Sequence, residues 1–354
     1  MAERVTIQDI ADALGLSRNT VSKAINNTGV LADSTREKIL QKAIEMGYKQ
    51  FSYLASLPNS EEENEQTAKA AGEIALFTGN FIGNSHFASI MLDKFQKDIS
   101  ALGYSMTIHR VSPENVKTQT LPITFNPINT KGIMCIEMFD YNYCKMLSEL
   151  NIPMLMVDGP VLTYARPLNA DMLLMNNNTG IFELINNLQK KGLSKFGFVG
   201  KITHCRSFFE RYTAFRDAMY LYSLPIVEEY SLTQASPNSM HYTEYLYNSV
   251  ENMKELPEVF ICANDFAAID LLQALKKQGI SCPDDILIVG FDDSPESRLM
   301  TPKLTTCHIH SQIMGFSAAQ LLISRIKQPD LNYRTLYTET DLIYRESTLI
   351  KGEK

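Results

Sequence analysis

The chain has 354 residues, 45% of them hydrophobic and 21% charged, which excludes disordered and fibrous classes and allows two or three globular domains of about 100 to 200 residues each. A formal net charge of −7 excludes a generally polyanion-binding surface and leaves room only for a local basic reader. Six scattered cysteines, with no C-x-x-C pair and no histidine at metal-ligand spacing, read as reduced, mostly buried thiols in a cytoplasmic protein for which neither metal nor cofactor is expected.

The first residues, "MAERVTIQDI", are charged and lack an apolar segment, and no run of about 18 apolar residues follows, so neither export nor a membrane anchor is expected. Residues 1 to about 48 show helical spacing alone: Ile7, Ile10, Ala11 and Leu14; then Val21, Ala24 and Ile25; then Ile39, Leu40, Ala43 and Met46. Three short helices follow from this spacing. Thr6 with Asp9, Ser17, and Ser34 with Glu37 supply the start signals, and Gly47 supplies the last stop. Residues 58–72, "PNSEEENEQTAKAAG", hold no large apolar side chain and carry an acidic cluster, which is linker composition.

From Glu73 on, short β-rich runs ("EIALFTG", "YSMTIHR", "KGIMCIEM", "IPMLMVD", "FGFVG", "EVFICAND", "ILIVGFDD") alternate with amphipathic stretches such as "FASIMLDKFQKDISALG" and "GIFELINNLQKKG". Parallel sheets covered by helices are expected. Ligands of open α/β sheets sit beyond the carboxyl ends of the strands, where Asp158, Asn264 with Asp265, and Asp292 with Asp293 close these runs. Each of these taken singly reads equally as a helix cap.

"VTIQDIADALGLSRNTVSKAIN" spells helix, tight turn at Gly15, helix. In a helix-turn-helix the second helix enters the major groove, and Arg18, Asn19 and Lys23 form its outward face. Arginine pairs with guanine O6 and N7, asparagine with adenine N6 and N7, and lysine with guanine or phosphate; Thr20 and Ser22 suit phosphate. Residues 1–57 carry seven basic and six acidic side chains, so charge adds little, and a small helical bundle for protein contacts fits the same spacing.

The stretch "VTIQDIADALGLSRNTVSKAINNTGVLADSTREKILQKAIEMGYK" closely resembles the headpiece of the lactose/galactose repressor (LacI/GalR) family of bacterial transcription factors. "NNNTGIFELINNLQKKGLSKFGFVG", "RYTAFRDAM", "VFICANDFAAIDLLQALKKQGISCPDDILIVGFDDSP", "LTTCHIHSQIMGFSAAQLLISRI" and "YRESTLI" resemble that family's effector domain in order. The resemblance implies a small all-α helix-turn-helix headpiece plus an α/β two-lobed effector domain, like a periplasmic binding protein, with parallel sheets. The expected divisions are a headpiece at 1–50, a hinge helix and acidic linker at 51–72, and an effector and dimerisation domain at 73–354. Lobe 1 is expected at about 73–168 and 293–325, lobe 2 at about 169–292 and 326–348. The chain would cross between lobes three times, "FDDSP" at Asp292 to Pro295 being one crossing.

The resemblance also implies partners: a pseudo-palindromic operator DNA, a second copy of the chain in a homodimer, and a small-molecule effector, a sugar or sugar derivative. Thr6, Ser17, Asn26 and Tyr48 join Arg18, Asn19, Thr20, Ser22 and Lys23 on the DNA side. Leu57 takes the place of the leucine that the family wedges into the minor groove, in a hinge that here reads "QFSYLASLP" without the usual arginine. Asp158, Asn264 and Asp292 align with positions that hold effector hydroxyls, Phe209 with the arginine that clamps the effector, and Arg206 stands as its substitute. Gly79, Asn80 and Phe87 would close the other lobe.

The rival readings are three. An enzyme lacks its motifs here, with no G-x-x-x-x-G-K-[ST], G-x-S-x-G or H-E-x-x-H. A transport-type binding protein would need a signal peptide in place of the headpiece. A cytosolic sensor with a non-sugar effector, or with a protein partner instead of DNA, is the alternative that remains.

Overall fold

The computed structural model describes residues 5–25, 31–46, 48, 71–79, 86–235 and 241–350. The expectations for Asn26, Gly47, Asn80, the hinge helix with Leu57 and the acidic linker through residue 70 lie outside the described residues.

Three helices form the headpiece: α1 (Ile7–Leu14), α2 (Arg18–Ile25) and α3 (Asp33–Glu45). Thr6 caps α1 through a capping box: its Oγ1 accepts from the amide of Asp9, whose carboxylate accepts from the Thr6 amide at 2.7 Å. Gly15 ends α1 at φ +63°, a left-handed backbone that glycine adopts without a Cβ penalty, and its N–H returns to the carbonyls of Ala11 and Asp12. Ser17 Oγ accepts from the amide of Thr20 at 3.1 Å and starts α2. The third start falls earlier than expected, at Asp33, which places Ser34 inside the first turn of α3. Ile10, Ala11, Val21, Ala24, Ile25, Ile39, Leu40 and Ala43 pack together, with Tyr48 against them and Ile313 of the effector domain on their flank.

In chain order, the rest runs β1 (Gly72–Thr78), α4 (His86–Ala101), β2 (Tyr104–Arg110), α5 (Pro113–Thr118), β3 (Thr130–Ile136), α6 (Tyr141–Ser148), β4 (Met154–Val157) and β5 (Asp171–Met175). It continues through α7 (Thr179–Lys190), β6 (Phe196–Val199), α8 (Arg206–Leu221), β7 (Ser231–Leu232), α9 (Tyr242–Glu251), β8 (Val259–Cys262), α10 (Asp265–Lys277), β9 (Leu287–Asp292), α11 (Pro295–Leu299) and β10 (Thr305–Ile309). The chain then adds α12 (Ser311–Lys327), β11 (Thr335–Thr338) and β12 (Thr340–Ile343). These strands make two sheets, ordered β11-β5-β4-β3-β1-β2 and β12-β10-β9-β8-β6-β7. Pairing is parallel apart from the antiparallel β10–β12 ladder. Each sheet is buried on both faces, which is why its strands read as continuous apolar runs rather than alternating ones.

Sheet membership corrects the expected lobes. β5 pairs with β4 and β11, so lobe 1 extends through residue 175, and α12 and β11 bring 311–338 back to it. Lobe 2 takes 179–309 and returns with β12. The three crossings are therefore 176–178, His310 and Glu339. "FDDSP" is not among them, because β9 and β10 are neighbours in the lobe 2 sheet. The physical reason is Asp265: its carboxylate accepts from the Ser294 amide at 2.7 Å and the Thr306 hydroxyl at 2.6 Å, tying the β9–α11 turn to its own lobe.

Candidate functional site

In the headpiece, α2 buries Val21, Ala24 and Ile25 and leaves Arg18, Asn19 and Lys23 exposed. The expected reading face is thus free of the fold's own packing. Thr20 and Ser22 are half-buried beside it, and Thr6 and Ser17 are exposed at helix starts, where their hydroxyls already serve as caps. Tyr48 departs from expectation: it is buried in the headpiece core, which makes packing its evident role.

Between the lobes opens a cleft of about 760 Å³. Lobe 1 lines it with Phe87, Arg110, Glu137 and Asp158; lobe 2 lines it with Ser207, Phe208, Arg211, Asn264, Asp292 and the Asp293–Arg298 turn. Strand ends deliver Arg110, Glu137, Asp158, Asn264 and Asp292, as an open α/β sheet requires, and helices α4 and α8 add Phe87, Ser207, Phe208 and Arg211. Glu137, Asp158, Asp292 and Asp293 all sit at positive φ, from 54° to 117°, a backbone that costs non-glycine residues free energy and gathers at binding sites.

Asp158 Oδ1 accepts from the amides of Gly159 at 2.8 Å and Ser207 at 3.1 Å, so a lobe 1 carboxylate caps a lobe 2 helix across the cleft. Burial raises its pKa, against the pull of these bonds. Burial also lifts the carboxyl of Asp292, to about 7, opposed by Arg211 and reinforced by the negative charges of Asp265 and Asp158. Asp265, fully buried behind it, is pushed up to about 6 for the same first reason. Asp293 moves the other way: burial would raise it, but His308, Arg298 and Arg345 outweigh burial and hold it well below the usual carboxylate range. Asn264 lines the cleft and also caps α10, its Oδ1 accepting from Ala267 N at 2.9 Å, so both of its readings hold.

Two effector expectations fail on helix phase. Phe209 packs its ring on Tyr164, centroids 5.3 Å apart, and Arg206 turns to Glu210 and Tyr337; neither lines the cleft. Ser207, Phe208 and Arg211, at i, i+1 and i+4, share the buried face of α8, so the α8 arginine that lines the cleft is Arg211, two residues beyond Phe209. Helical period alone would have found it. Gly79 follows β1 close to the Glu137 carbonyl without lining the cleft. Glu137 and Arg110 escaped the sequence reading because their place depends on a backbone turn and on the meeting of two lobes.

Residues 6–50 match the family model for bacterial regulatory proteins of the lacI family, and residues 185–348 match that for a periplasmic binding protein-like domain. The chain belongs to the lacI family of bacterial regulatory proteins. This lacI-family chain is 27% identical, over 348 residues, to the HTH-type transcriptional repressor PurR of Haemophilus influenzae, covering 97% of this chain and 98% of that protein. Its fold is that of a solved transcriptional regulator CelR–cellobiose complex, with TM-score 0.65, 19% identity and coverage of 97% and 100%. A lac repressor dimer bound to operator matches with TM-score 0.64, 19% identity and coverage of 98% and 100%. As a lacI-family member, the chain is a DNA-binding transcriptional regulator with an effector-binding domain. Among the described residues no helix is long and apolar enough to cross a membrane, and no group of three or more His, Cys, Asp or Glu is placed to hold a metal.

Proposed function

We propose that the chain represses carbohydrate-related genes from a pseudo-palindromic operator as a cytoplasmic homodimer, and that a sugar or sugar derivative bound between its lobes controls it. The observation that carries this reading is the pair Asp158 and Asp292, one from each lobe, in a single cleft beside Arg211. Carboxylates accept from hydroxyls, the guanidinium donates, and Phe87 and Phe208 offer apolar faces to ring carbons. Cellobiose in the CelR structure points to the same class. On the DNA side, Arg18, Asn19 and Lys23 read base edges while Thr20 and Ser22 hold phosphates.

A thermal-shift panel of cellobiose, D-ribose and other mono- and disaccharides tests the effector class, since a ligand that binds the folded state raises the midpoint. A flat panel overturns it. Salt-dependent gel shifts with genomic fragments test operator binding. Sedimentation tests assembly, with a dimer expected because two headpieces must meet half-sites related by a two-fold axis.

A further inference from the structure

Behind the cleft, an ion pair from Asp292 to Arg211 leads into a hydrogen-bonded chain that runs to the connections between the lobes. Arg211 stands with Nη1 3.6 Å from Asp292 Oδ1 and donates from Nε to Asn177 Oδ1 at 2.9 Å. Asn177 lies in the first crossing, and its Nδ2 donates to Glu210 Oε2 at 2.8 Å. The other oxygen of Glu210 accepts from Arg206 Nε at 2.8 Å and from the Tyr337 hydroxyl at 2.9 Å. Tyr337 belongs to β11 in lobe 1, two residues before the third crossing. Arg211, Asn177 and Glu210 are 2%, 1% and 6% exposed, so water is kept from the middle of the chain, whereas Tyr337 at its lobe 1 end is 43% exposed.

The two crossings it reaches are tied to each other. The Asn176 amide donates to the Thr338 carbonyl at 2.7 Å, and the Thr340 hydroxyl donates to the Asn176 carbonyl at 2.9 Å. A change in lobe angle must rotate these backbones, and Glu210 grips both of them from a lobe 2 helix.

We infer that Asn177 and Glu210 are positioning residues that couple the state of Asp292 to the interlobe crossings, so that an event in the cleft alters how the lobes are held. The inference builds on the effector reading of this cleft. Arg211 is the shared member: its guanidinium is drawn toward Asp292 on one side and toward Asn177 and Glu210 on the other. Neutralising Asp292 removes the first pull and strengthens the second. Asp292 makes no hydrogen bond to Asn177 or Glu210, so its direct side-chain link to the first and third crossings is Arg211; its strand also pairs with His308, ahead of the crossing at His310.

The test needs no ligand. Hydrogen exchange of the Asn176 amide is followed at pH 8, where Asp292 is ionised, in the full-length parent, Asp292→Asn, Glu210→Gln and the double variant. Glu210→Gln is expected to speed exchange about tenfold, the loss of one bond to a charged group. Asp292→Asn is expected to slow it about threefold or more, the lower range of coupling along such chains, and to have no effect in the Glu210→Gln background. Unchanged exchange in Asp292→Asn, or an equal change with and without Glu210, overturns the coupling and leaves a local staple. If Glu210→Gln fails to give a cooperative melt, Tyr337→Phe, which removes one hydroxyl, takes its place with the same expected outcomes. Because the cycle uses no sugar, a flat sugar panel would remove the effector class and still leave this coupling decided by exchange.

Discussion

Arg211 Nη1 and Asp292 Oδ1 stand 3.6 Å apart in the cleft, within the range of an ion pair and longer than a hydrogen bond. The guanidinium is already engaged, by Asn177, by the Ala263 carbonyl at 2.6 Å and by the face of Phe291, 3.5 Å away. Asp292 is therefore a carboxylate with an incomplete partner, and under the proposed function a ligand hydroxyl would complete it. Asp292→Asn keeps the shape but turns one acceptor oxygen into a donor. Effector affinity is expected to fall at least tenfold, about 1.4 kcal/mol, as read by calorimetry with the sugar that the panel identifies; equal affinity in the variant would make the carboxylate structural.

The same group makes a statement about stability. Its folded pKa, about 7, lies above the ordinary carboxylate value of about 3.9, so the folded protein binds more protons than the unfolded chain between those limits. Stability from this group is thus fully present at acid pH and lost as pH rises toward neutrality. Asp292→Asn is expected to gain on the parent between pH 5 and pH 8, reaching about 2 °C or more in melting midpoint at pH 8. Parallel curves for parent and variant would contradict the pKa.

Asp293 carries the opposite sign. It is bonded to His308 at 2.9 Å, to Arg298 at 2.5 Å and to Arg345. Its folded pKa is depressed, so its contribution is present above the ordinary carboxylate value and lost as pH falls through the folded value. Removing one partner of a buried network strands the others. Asp293→Ala is expected to cost about 3 kcal/mol, the low end for buried pairs because Arg298 is partly exposed. Denaturant melts should show that gap at pH 7 and a smaller one below pH 4.

Much of this fold was legible in the residues. "YSMTIHR" is β2 to the residue, and the apolar spacing of Ile7, Val21 and Ile39 gave the three headpiece helices. β5 "DMLLM" and the short β11 and β12 were missed, and with them the lobe boundaries. A five-residue buried strand has no period of its own, and which sheet it joins depends on partners more than 150 residues away, such as Asp171 with Arg325. The cleft was half legible: Asp158, Asn264 and Asp292 follow from strand ends, whereas Glu137 depends on a positive φ that sequence does not announce.

Lobe 1 packs α12 on α4 so closely that the contact admits no side chain at Gly315. A Cβ there would lie 2.3 Å from the Met91 carbonyl oxygen and 2.8 Å from Lys94 Cβ. The carbonyl belongs to a helix backbone and cannot swing aside, so the helices must part. Gly315→Ala is expected to destabilise by about 1 to 3 kcal/mol despite the better helix propensity of alanine. A melting midpoint equal to or above that of the parent would show that the α4–α12 contact is loose.

The headpiece separates two kinds of side chain, those that build it and those that it presents, and a pair of substitutions tells them apart. Thr6 Oγ1 accepts from the Asp9 amide, so Thr6→Ala leaves a helix start uncapped at a cost of about 1 kcal/mol. That loss lowers operator binding at every sequence alike. Arg18 and Asn19 are exposed at the first turn of α2, with Val21, Ala24 and Ile25 buried behind them, and they spend nothing on the fold. Arg18→Ala or Asn19→Ala is expected to leave headpiece melting unchanged, to cost about 1 to 3 kcal/mol at the cognate operator and to relax preference at one base pair each. Selection from a random duplex pool, run for parent and each variant, reads that preference directly. A consensus that stays sharp in both variants would mean that base edges are read elsewhere and that this face of α2 meets only phosphate.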